Sequence, residues 1–324
     1  MKHVLAVDAG GTSTRAVLAR QDGSCLGVGR GGSGNPVSVG PQAAMESVVT
    51  AAGQAALAAG GPVEVELVLV AMAGMSAMLP VGSMAQRLAE VGVHGPVRLG
   101  SDLLAMFCSG TPQPEGYALV GGTGSIAARV AGERTVRIAG GNGWLLGDVG
   151  SGFWLGQQVA RAAVADLDRL GPATALTGMV LDALAVAETG MDQEGRPLNL
   201  VSLVDKLYRM RPVELAQFAP MAFAADQDPV ARQIRRVAAQ ALVELLAATY
   251  VEGLAGPVVI GGSVARRIFA DPDSALAGSL AGREVTPVDD GLAGSAVMAL
   301  RQCGFPMGQA VFDRVNTDIA RLRS

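Results

Sequence analysis

Residues 4–19 read VLAVDAGGTSTRAVLA, and residues 117–130 read YALVGGTGSIAARV. In both stretches an apolar run leads into Gly-Gly-Thr, and a second apolar run follows a few small residues later. The two copies are offset by 111 positions, from Gly10 to Gly121. Glycines cost backbone entropy in regular structure, so glycine turns at matching positions indicate a specific use for them. The repeat predicts two strand-turn-strand units built on one duplicated plan.

The Gly-Gly-Thr turns are candidates for phosphate binding. Glycine lets backbone N–H groups approach an anion closely, and the threonine hydroxyl adds a further donor. One such turn is also typical of a plain β-hairpin, whereas two turns that face each other would hold a polyphosphate. Asp8 directly precedes the first turn, where a carboxylate beside phosphate calls for a cation such as Mg²⁺. The alternative is that Asp8 only caps the turn.

Asp102 lies in RLGSDLLAMF, residues 98–107, after a short strand and at the start of a predicted helix. From this stretch alone, Ser101 or Asp102 is interpreted as the helix N-cap. The functional alternative is a general base, which would accept a hydroxyl proton as a sugar oxygen attacks the γ-phosphate of ATP.

Length and composition indicate a globular protein that acts on small molecules. The 324 residues predict two domains, with a boundary in GTPQPEG (110–116) that gives domains of 1–112 and 113–324. Half of the residues are hydrophobic, and the net charge of −4 provides no basic surface for nucleic acid or an anionic membrane. The apolar run 67–79 is too short to span a bilayer, and the N-terminus does not resemble a signal peptide. We therefore expect a cytoplasmic protein.

Helices and strands are predicted to alternate, which is typical of an α/β fold. The final helix is expected to pack back on the N-terminal domain. The predicted strands are 4–7, 15–19, 26–28, 63–70, 97–99 and 258–260, and the predicted helices are 41–59, 80–91, 229–254 and 291–301, followed by the terminal helix.

The residues that support other chemistries are few and scattered. The chain has two histidines, two lysines and three cysteines, Cys25, Cys108 and Cys303, without a Cys-x-x-Cys pair. We interpret the cysteines as packing residues. Nothing here supports a histidine-rich metal site, a serine triad or a Walker A loop.

Five motifs in order resemble the N-acetylglucosamine kinase branch of the sugar kinase, Hsp70 and actin superfamily, which also contains the BadF/BcrA-type ATPases. They are the phosphate motifs LAVDAGGTSTRAVLA and VGGTGSIAAR, the aspartate of SDLLA, the connecting motif GGNGWLLGDVGSGFWLG and the adenosine motif VVIGGSVA. The resemblance implies duplicated ribonuclease H-like, actin-like ATPase domains with an ATP cleft between them. It also implies an ATP- and Mg²⁺-dependent kinase for an amino sugar, foremost N-acetyl-D-glucosamine at its 6-hydroxyl, and a homodimer.

Individual roles follow from the same resemblance. Asp8 would organise Mg²⁺, and Asp102 would be the catalytic base. The nucleotide would contact Gly10, Gly11, Thr12, Thr14, Gly122, Thr123, Gly261, Gly262 and Ser263. The sugar would contact Asn35, Asp102, Gly124, Ser125, Gly141, Asn142, Gly143 and Asp148.

Two positions depart from the family pattern. Asn142 stands where relatives commonly have tryptophan, and Val149 stands where they have glutamate. The group at C2 of the sugar is therefore expected to be recognised differently. Trp144 is expected to serve in packing.

Three other functions remain open from the sequence. A kinase for another hexosamine, such as glucosamine or N-acetylmuramate, would share every motif. An ATPase activator of a radical dehydratase would need paired cysteines for an iron–sulfur cluster between subunits. A sugar-responsive repressor would need a helix-turn-helix before the first strand, and the sequence ahead of Lys2 leaves no room for one.

Overall fold

The structure is a computed structural model that describes residues 1–72 and 80–323. The second half of the apolar run 67–79 lies outside the described residues. The strands are β1 (His3–Ala9), β2 (Thr14–Arg20), β3 (Cys25–Gly31), β4 (Val63–Glu64), β5 (Leu67–Met72), β6 (Val93–His94), β7 (Val97–Ser101), β8 (Gly116–Gly121), β9 (Ser125–Ala131), β10 (Arg134–Gly140), β11 (Val258–Gly261) and β12 (Val285–Pro287).

Helices fill most of the remaining chain. They are α1 (Pro36–Val39), α2 (Pro41–Ala58), α3 (Val81–Glu90), α4 (Asp102–Gly110), α5 (Gly143–Leu146), α6 (Gly152–Leu167), α7 (Ala175–Ala183), α8 (Leu198–Tyr208), α9 (Ala219–Ala224), α10 (Pro229–Ala247), α11 (Ser263–Phe269), α12 (Ala275–Ser279), α13 (Leu292–Gln302) and α14 (Gln309–Arg323), with a 3₁₀ helix at Pro212–Phe218.

The two large sheets repeat one topology, which confirms the predicted duplication. The first has the order β3-β2-β1-β5-β7 and the second has the order β10-β9-β8-β11-β12. In each, the first three strands of the unit are antiparallel and the remaining strands pair in parallel. Glycine turns join β1 to β2 and β8 to β9, so both Gly-Gly-Thr stretches lie at the same end of equivalent strands.

Helices α4 and α13 form the layer between the two sheets. Their apolar side chains share one core with residues of both sheets, including Ala6 of β1 and Ala118 of β8. The two helices approach closely at Gly294, where a side chain would collide with the backbone of Ala105. The N–H of Gly294 donates to the hydroxyl of Ser109 at 2.8 Å. This central layer carries Asp102 at its start.

The C-terminal helix α14 packs against β3 of the first sheet. Val315 and Ile319 are buried in the core shared with that sheet. The backbone N–H of Cys25 donates to the carboxylate of Asp318 at 2.9 Å. Both α13 and α14 therefore complete the N-terminal layer, although they come from the end of the chain.

Two predicted elements have different limits in the structure. The strand predicted at 63–70 is divided because the chain changes partners: Val65 N donates to His94 O, and Glu66 N donates to His3 O, both at 2.8 Å. The helix predicted at 229–254 ends at Ala247. There the hydroxyl of Thr249 donates to the carbonyl of Leu246, which a continuing helix would have used.

Candidate functional site

The first glycine turn joins β1 to β2 and is tied to the end of β3. Gly10 N donates to Ser13 O at 3.0 Å, and Gly34 N donates to Gly10 O at 2.9 Å. The hydroxyl of Ser33 donates to Gly11 O at 2.8 Å. Gly11 and Thr12 are exposed at the tip, so their N–H groups are accessible to a ligand.

Thr14 lies at the base of the same turn. Its side chain is fully buried, and its hydroxyl oxygen has no hydrogen-bond partner. An added Cβ at Gly34 would lie 2.6 Å from that oxygen, so glycine is required for this close approach. A buried hydroxyl without a partner is costly, which makes Thr14 a candidate ligand-binding group.

The second and third glycine turns lie against each other. Gly262 has φ +81°, and a Cβ there would stand 2.7 Å from Gly122 N and collide with the carbonyl of Gly121. Only glycine satisfies both the left-handed backbone and the contact. The exposed residues Thr123 and Ser263 flank this contact. The predicted β/γ-phosphate turn and the adenosine turn therefore form one continuous surface.

The N-terminus of α6 supports the second turn from behind. Gly152 N donates to Gly122 O at 2.7 Å, and Phe153 N donates to Thr123 O at 3.1 Å. The first N–H groups of a helix have no partner within the helix. Here two of them donate to the turn and hold it in one conformation.

Asp8 is a buried carboxylate at the end of β1, and 6% of its surface is exposed. Gly291 N donates to one of its oxygens at 3.0 Å. Burial, the nearby charge of Asp290 and, less strongly, that of Asp102 raise the pKa of Asp8 to about 7, against the opposing effects of Gly291 and Arg15. The surroundings thus disfavour a bare negative charge, as expected for a site that receives a cation.

Asp102 is the first residue of α4, but it is not the helix cap. Ser101 is the N-cap, since its hydroxyl oxygen accepts from Leu104 N at 3.2 Å. The carboxylate of Asp102 is therefore not required for capping. Burial raises its pKa, while the backbone N–H groups of Leu103 and of Asp102 itself act in the opposite direction. A carboxylate with a raised pKa is a better proton acceptor near neutral pH.

Asn35 lies directly before α1 and follows Gly34, whose N–H donates to Gly10 O of the first glycine turn. Its side-chain oxygen accepts from Val37 N at 2.9 Å and caps that short helix. This contact uses the oxygen and leaves the amide NH₂ available as a donor.

Asp148 connects the second turn to the connecting motif. Its carboxylate accepts from Ser125 N at 3.0 Å, and an added Cβ at Gly124 would lie 3.0 Å from the same carboxylate. Asp148 has φ +57°, a conformation that few side chains adopt. Burial raises the pKa of Asp148, and the hydrogen bond from Ser125 lowers it.

The connecting motif itself is largely exposed. Gly141 and Gly143 have φ of +70° and +77°, and the side chain of Asn142 does not cap α5. Gly141 N donates to Ser125 O at 2.9 Å, which places this motif beside the predicted sugar residues. Val149 contributes its carbonyl, which accepts from the hydroxyl of Ser125 at 3.1 Å.

Trp144 was expected to serve in packing, and the structure places it at the surface. Its side chain is 45% exposed, and its ring lies 5.8 Å from that of Phe153. Both rings line an open cavity of about 830 Å³ beside α6 and α8.

A second cavity, of about 570 Å³, runs along α10 and α11. Helix α11 begins in the adenosine motif, and its later residues Arg267 and Ile268 line the cavity. The guanidinium of Arg267 lies 4.7 Å over the ring of Phe223. The cavity is lined by Phe223, Arg232, Arg236, Arg267, Asp271 and Ser274, among others.

Asp290, Arg15 and Arg323 form a charged cluster beside Asp8 that the sequence did not reveal. Arg15 Nε lies 3.4 Å and Arg323 Nη2 lies 2.9 Å from the carboxylate of Asp290. Asp290 directly precedes Gly291, the residue that contacts Asp8. The only local signal was Asp-Asp-Gly before a helix of small residues.

The cysteines are separate from this site. All three are free thiols; Cys25 and Cys108 are buried, and burial raises their pKa values to about 12 and about 11. Across residues 1–72 and 80–323, no three or more histidine, cysteine, aspartate or glutamate side chains are grouped to hold a metal. In the same ranges, no helix is both long and apolar enough to cross a membrane.

The two sheets of equal topology and their glycine turns define a class of α/β proteins with the actin-like fold. A crystal structure from Chromobacterium violaceum, assigned provisionally to the N-acetylglucosamine kinases, matches with a TM-score of 0.72 and 24% identity over 92% of this chain and 99% of that one. A ROK family glucokinase from Streptomyces griseus, in complex with glucose and AMPPNP, matches with a TM-score of 0.55 and 18% identity over 93% of this chain and 99% of that one. These similarities confirm the predicted fold class.

The chain belongs to the BadF/BadG/BcrA/BcrD ATPase family, whose model matches residues 5–272. It is 26% identical to glucosamine kinase GspK of Vibrio cholerae serotype O1, over 83% of this chain and 87% of that protein. It is also 30% identical over 149 residues to N-acetyl-D-glucosamine kinase of Dictyostelium discoideum, which covers 45% of this chain and 44% of that one. The family resemblance predicted from the motifs is confirmed.

Proposed function

We propose that this protein is an ATP-dependent kinase of amino sugars. The observation that carries the proposal is the position of Asp102: a partly buried carboxylate without a capping role, whose charge acts on Asp8 of the first phosphate turn. Kinases that use a sugar hydroxyl as acceptor require a proton acceptor close to the transferred phosphate. The amino sugar kinases among its relatives support the same reaction.

In this proposal the three glycine turns hold the nucleotide through their backbone. Gly10, Gly11, Thr12 and Thr14 contact phosphate from the first turn. Gly122 and Thr123 contact the β/γ-phosphates from the second, and Gly261, Gly262 and Ser263 face the nucleoside. The cavity along α11 would receive the base, with arginine side chains at its wall.

The residues around Asp8 fit a magnesium ion. Its carboxylate supplies the oxygen that Mg²⁺ prefers, and the neighbouring Asp290 and Asp102 add negative charge that a divalent cation offsets. When bound, the ion would neutralise charge on the β- and γ-phosphate oxygens during transfer. Asp8 would hold it, and Gly291 would keep the carboxylate oriented.

The sugar would bind between the first sheet and the connecting motif. Asn35 and Asp148 would hydrogen-bond its hydroxyls together with Gly124, Ser125, Gly141, Asn142 and Gly143. Asp102 would accept the proton of the attacking 6-hydroxyl as its oxygen bonds to the γ-phosphorus, while the bond from that phosphorus to the bridging oxygen breaks and ADP leaves. Positioning and charge stabilisation would supply most of the rate enhancement, as in other phosphoryl transfers.

N-Acetyl-D-glucosamine is the first candidate substrate, and glucosamine is the second. The glucosamine kinase of Vibrio cholerae aligns over 83% of this chain, against 45% for the N-acetyl-D-glucosamine kinase named above, and this specific observation favours the second candidate. Asn142 and Val149, which depart from the family pattern, belong to the region that would contact the C2 group.

A coupled ADP-release assay tests the proposal. Saturating ATP and Mg²⁺ would be combined with N-acetylglucosamine, glucosamine, N-acetylmannosamine, N-acetylmuramate or glucose, and the product analysed by NMR for the site of phosphorylation. The proposal expects sugar-dependent turnover, highest with an amino sugar phosphorylated at O6. ATP turnover that no sugar stimulates, with iron bound to the cysteines, would favour a dehydratase activator instead.

The assembly and location of the protein are part of the same proposal. We expect a cytoplasmic homodimer whose chains each have domains of 1–112 and 113–324, with the last helix returning to the first domain. Multi-angle light scattering would give the mass in solution directly. A mass near that of one 324-residue chain would reject the dimer.

A further inference from the structure

Three separate segments of the chain meet at the carboxylate of Asp290: β2, α14 and the start of α13 directly after Asp290 itself. Arg15 of β2 and Arg323 of α14 both reach it, at 3.4 Å and 2.9 Å. Leu292 N, at the start of α13, also donates to it at 3.0 Å. Its side chain is 10% exposed, so the two ion pairs are shielded from water far more than ordinary surface pairs.

Hydrogen bonds also fix the backbone that follows Asp290. Ser295 donates to Gly291 O through both its N–H, at 2.8 Å, and its hydroxyl, at 2.9 Å. Gly291 N then points at Asp8 and donates to it at 3.0 Å. A Cβ at position 291 would stand 3.0 Å from the Asp8 carboxylate, so a larger residue here would displace that carboxylate by a few tenths of an ångström. The position of this N–H therefore depends on how Asp290 is held.

We propose that Asp290 and Arg323 are positioning residues that hold the N–H of Gly291 against Asp8 and thereby set the metal affinity of Asp8. The inference rests on the proposed function in one respect, the assignment of Asp8 as the residue that organises Mg²⁺. Groups that orient a metal ligand commonly change metal affinity or activity by about 10- to 100-fold when they are removed. The C-terminal helix, whose last described residue is Arg323, would thus be part of the ATP site.

A positioning role of Arg323 and a purely electrostatic role predict opposite changes in cation binding, so an experiment can distinguish the two roles. Loss of the Arg323 charge alone would leave Asp290 more negative and would strengthen cation binding nearby. If Arg323 instead keeps the N–H of Gly291 in place, its loss would weaken cation binding. Arg323→Lys keeps the charge but loses the planar fork that arginine offers a carboxylate. The proposal therefore expects weaker binding in Arg323→Lys as well as in Arg323→Met.

The test measures Mn²⁺ binding by electron paramagnetic resonance, with ADP present and no sugar, so that no turnover is needed. Asp290→Asn and Arg323→Met should weaken Mn²⁺ binding by about tenfold, and Arg323→Lys by a smaller factor. In the turnover assay the same variants should need more Mg²⁺ for half-maximal rate, while the KM for sugar stays within twofold.

Arg314→Met is the matched control on the same helix. Arg314 pairs with Asp22 at 3.2 Å and does not contact Asp290. Its variant breaks an exposed ion pair on the same helix, and it should keep parental Mn²⁺ affinity with at most a small loss of thermal stability. The inference would be overturned by equal Mn²⁺ affinity in all variants, or by tighter Mn²⁺ binding in Arg323→Met. It would also be overturned if Arg314→Met lost as much Mn²⁺ affinity as Arg323→Met. So would an Asp8→Asn protein with unchanged Mn²⁺ affinity. A parent protein that binds Mn²⁺ and ADP but phosphorylates no sugar would reject only the proposed function.

Discussion

The carboxylate of Asp148 accepts a hydrogen bond from the backbone N–H of Ser125 at 3.0 Å, across 23 positions of the chain. This bond joins the connecting motif to the second phosphate turn. It also occupies one oxygen of the carboxylate and leaves the other for a ligand. A direct hydrogen bond therefore connects the residues predicted to bind sugar with the turn predicted to bind phosphate.

We expect Asp148→Asn to weaken sugar binding without unfolding the protein. Asparagine keeps an oxygen for the N–H of Ser125 and tolerates the positive φ of this position. The sugar hydroxyl would lose a charged acceptor, and hydrogen bonds to charged groups contribute about 1.5–3 kcal/mol. The KM for sugar should rise at least about tenfold, with the KM for ATP nearly unchanged. Parental sugar KM in this variant would remove Asp148 from the sugar site.

Gly262→Ala should disrupt the contact between the second and third turns. The new Cβ would collide with the carbonyl of Gly121, and the residue would be held at φ +81°. We expect a lower melting temperature and an ATP KM raised at least about tenfold. Gly178→Ala is the control, because Gly178 lies in α7 with open space around it, where alanine should stabilise the helix by about 0.5–1 kcal/mol. A Gly262→Ala protein as stable and active as the parent would contradict this account.

The features that the sequence predicted are local ones. Both strand-turn-strand units, and helices such as α2 and α3, follow from apolar periodicity and glycine placement within about twenty residues. Gly262 was assigned through the resemblance of VVIGGSVA to the adenosine motif of the family, and not from the Gly-Gly-Ser turn alone. Capping by Ser101 was left open, since two adjacent residues could serve equally well.

The features that the sequence missed depend on distant parts of the chain. Asp290 meets Arg15 and Arg323 only because α13 and α14 return to the first sheet, and no local pattern marks such pairs. The break between β4 and β5 has the same origin, since Val65 and Glu66 select different partners from distant segments. At 63–70, pairing with distant segments overrode the nearly continuous apolar run that predicts a single strand.

Asp8→Asn should make the metal-free protein more stable at pH 8. The folded-state pKa of Asp8 is about 7 against 3.8 for the free side chain, so folding favours the protonated form. The stabilisation from that form is complete below pH 3.8 and is lost as pH rises to about 7. The shift corresponds to about 4 kcal/mol. Asparagine cannot ionise and still accepts from Gly291.

The measurement is chemical denaturation of parent and Asp8→Asn between pH 5 and pH 8, without nucleotide or divalent ions. The stability advantage of the variant should grow with pH and level off above about pH 7. Added Mg²⁺ and ATP should stabilise the parent more than the variant. A variant that is less stable than the parent at pH 8 would show that the Asp8 charge is already compensated by the protein.

The last prediction separates capping from catalysis at the start of α4. Asp102→Asn should lower kcat by about 10²- to 10⁴-fold, the usual contribution of a general base, because the amide cannot accept the proton. Its melting temperature should stay close to that of the parent, since Ser101 caps the helix. Ser101→Ala should show the reverse pattern, with a loss of about 1 kcal/mol in stability and turnover within a few-fold of the parent.

Steady-state turnover on N-acetylglucosamine and on glucosamine, measured beside thermal unfolding, gives both quantities for both variants. Direct nucleotide binding should be retained in Asp102→Asn, because Asp102 is not among the residues expected to contact ATP. If Asp102→Asn turns over at near the parental rate, the proton acceptor must be another group, and Asp148 is the next candidate because burial also raises its pKa. If both variants lose stability equally and turnover equally, position 102 acts through the helix and not through the reaction.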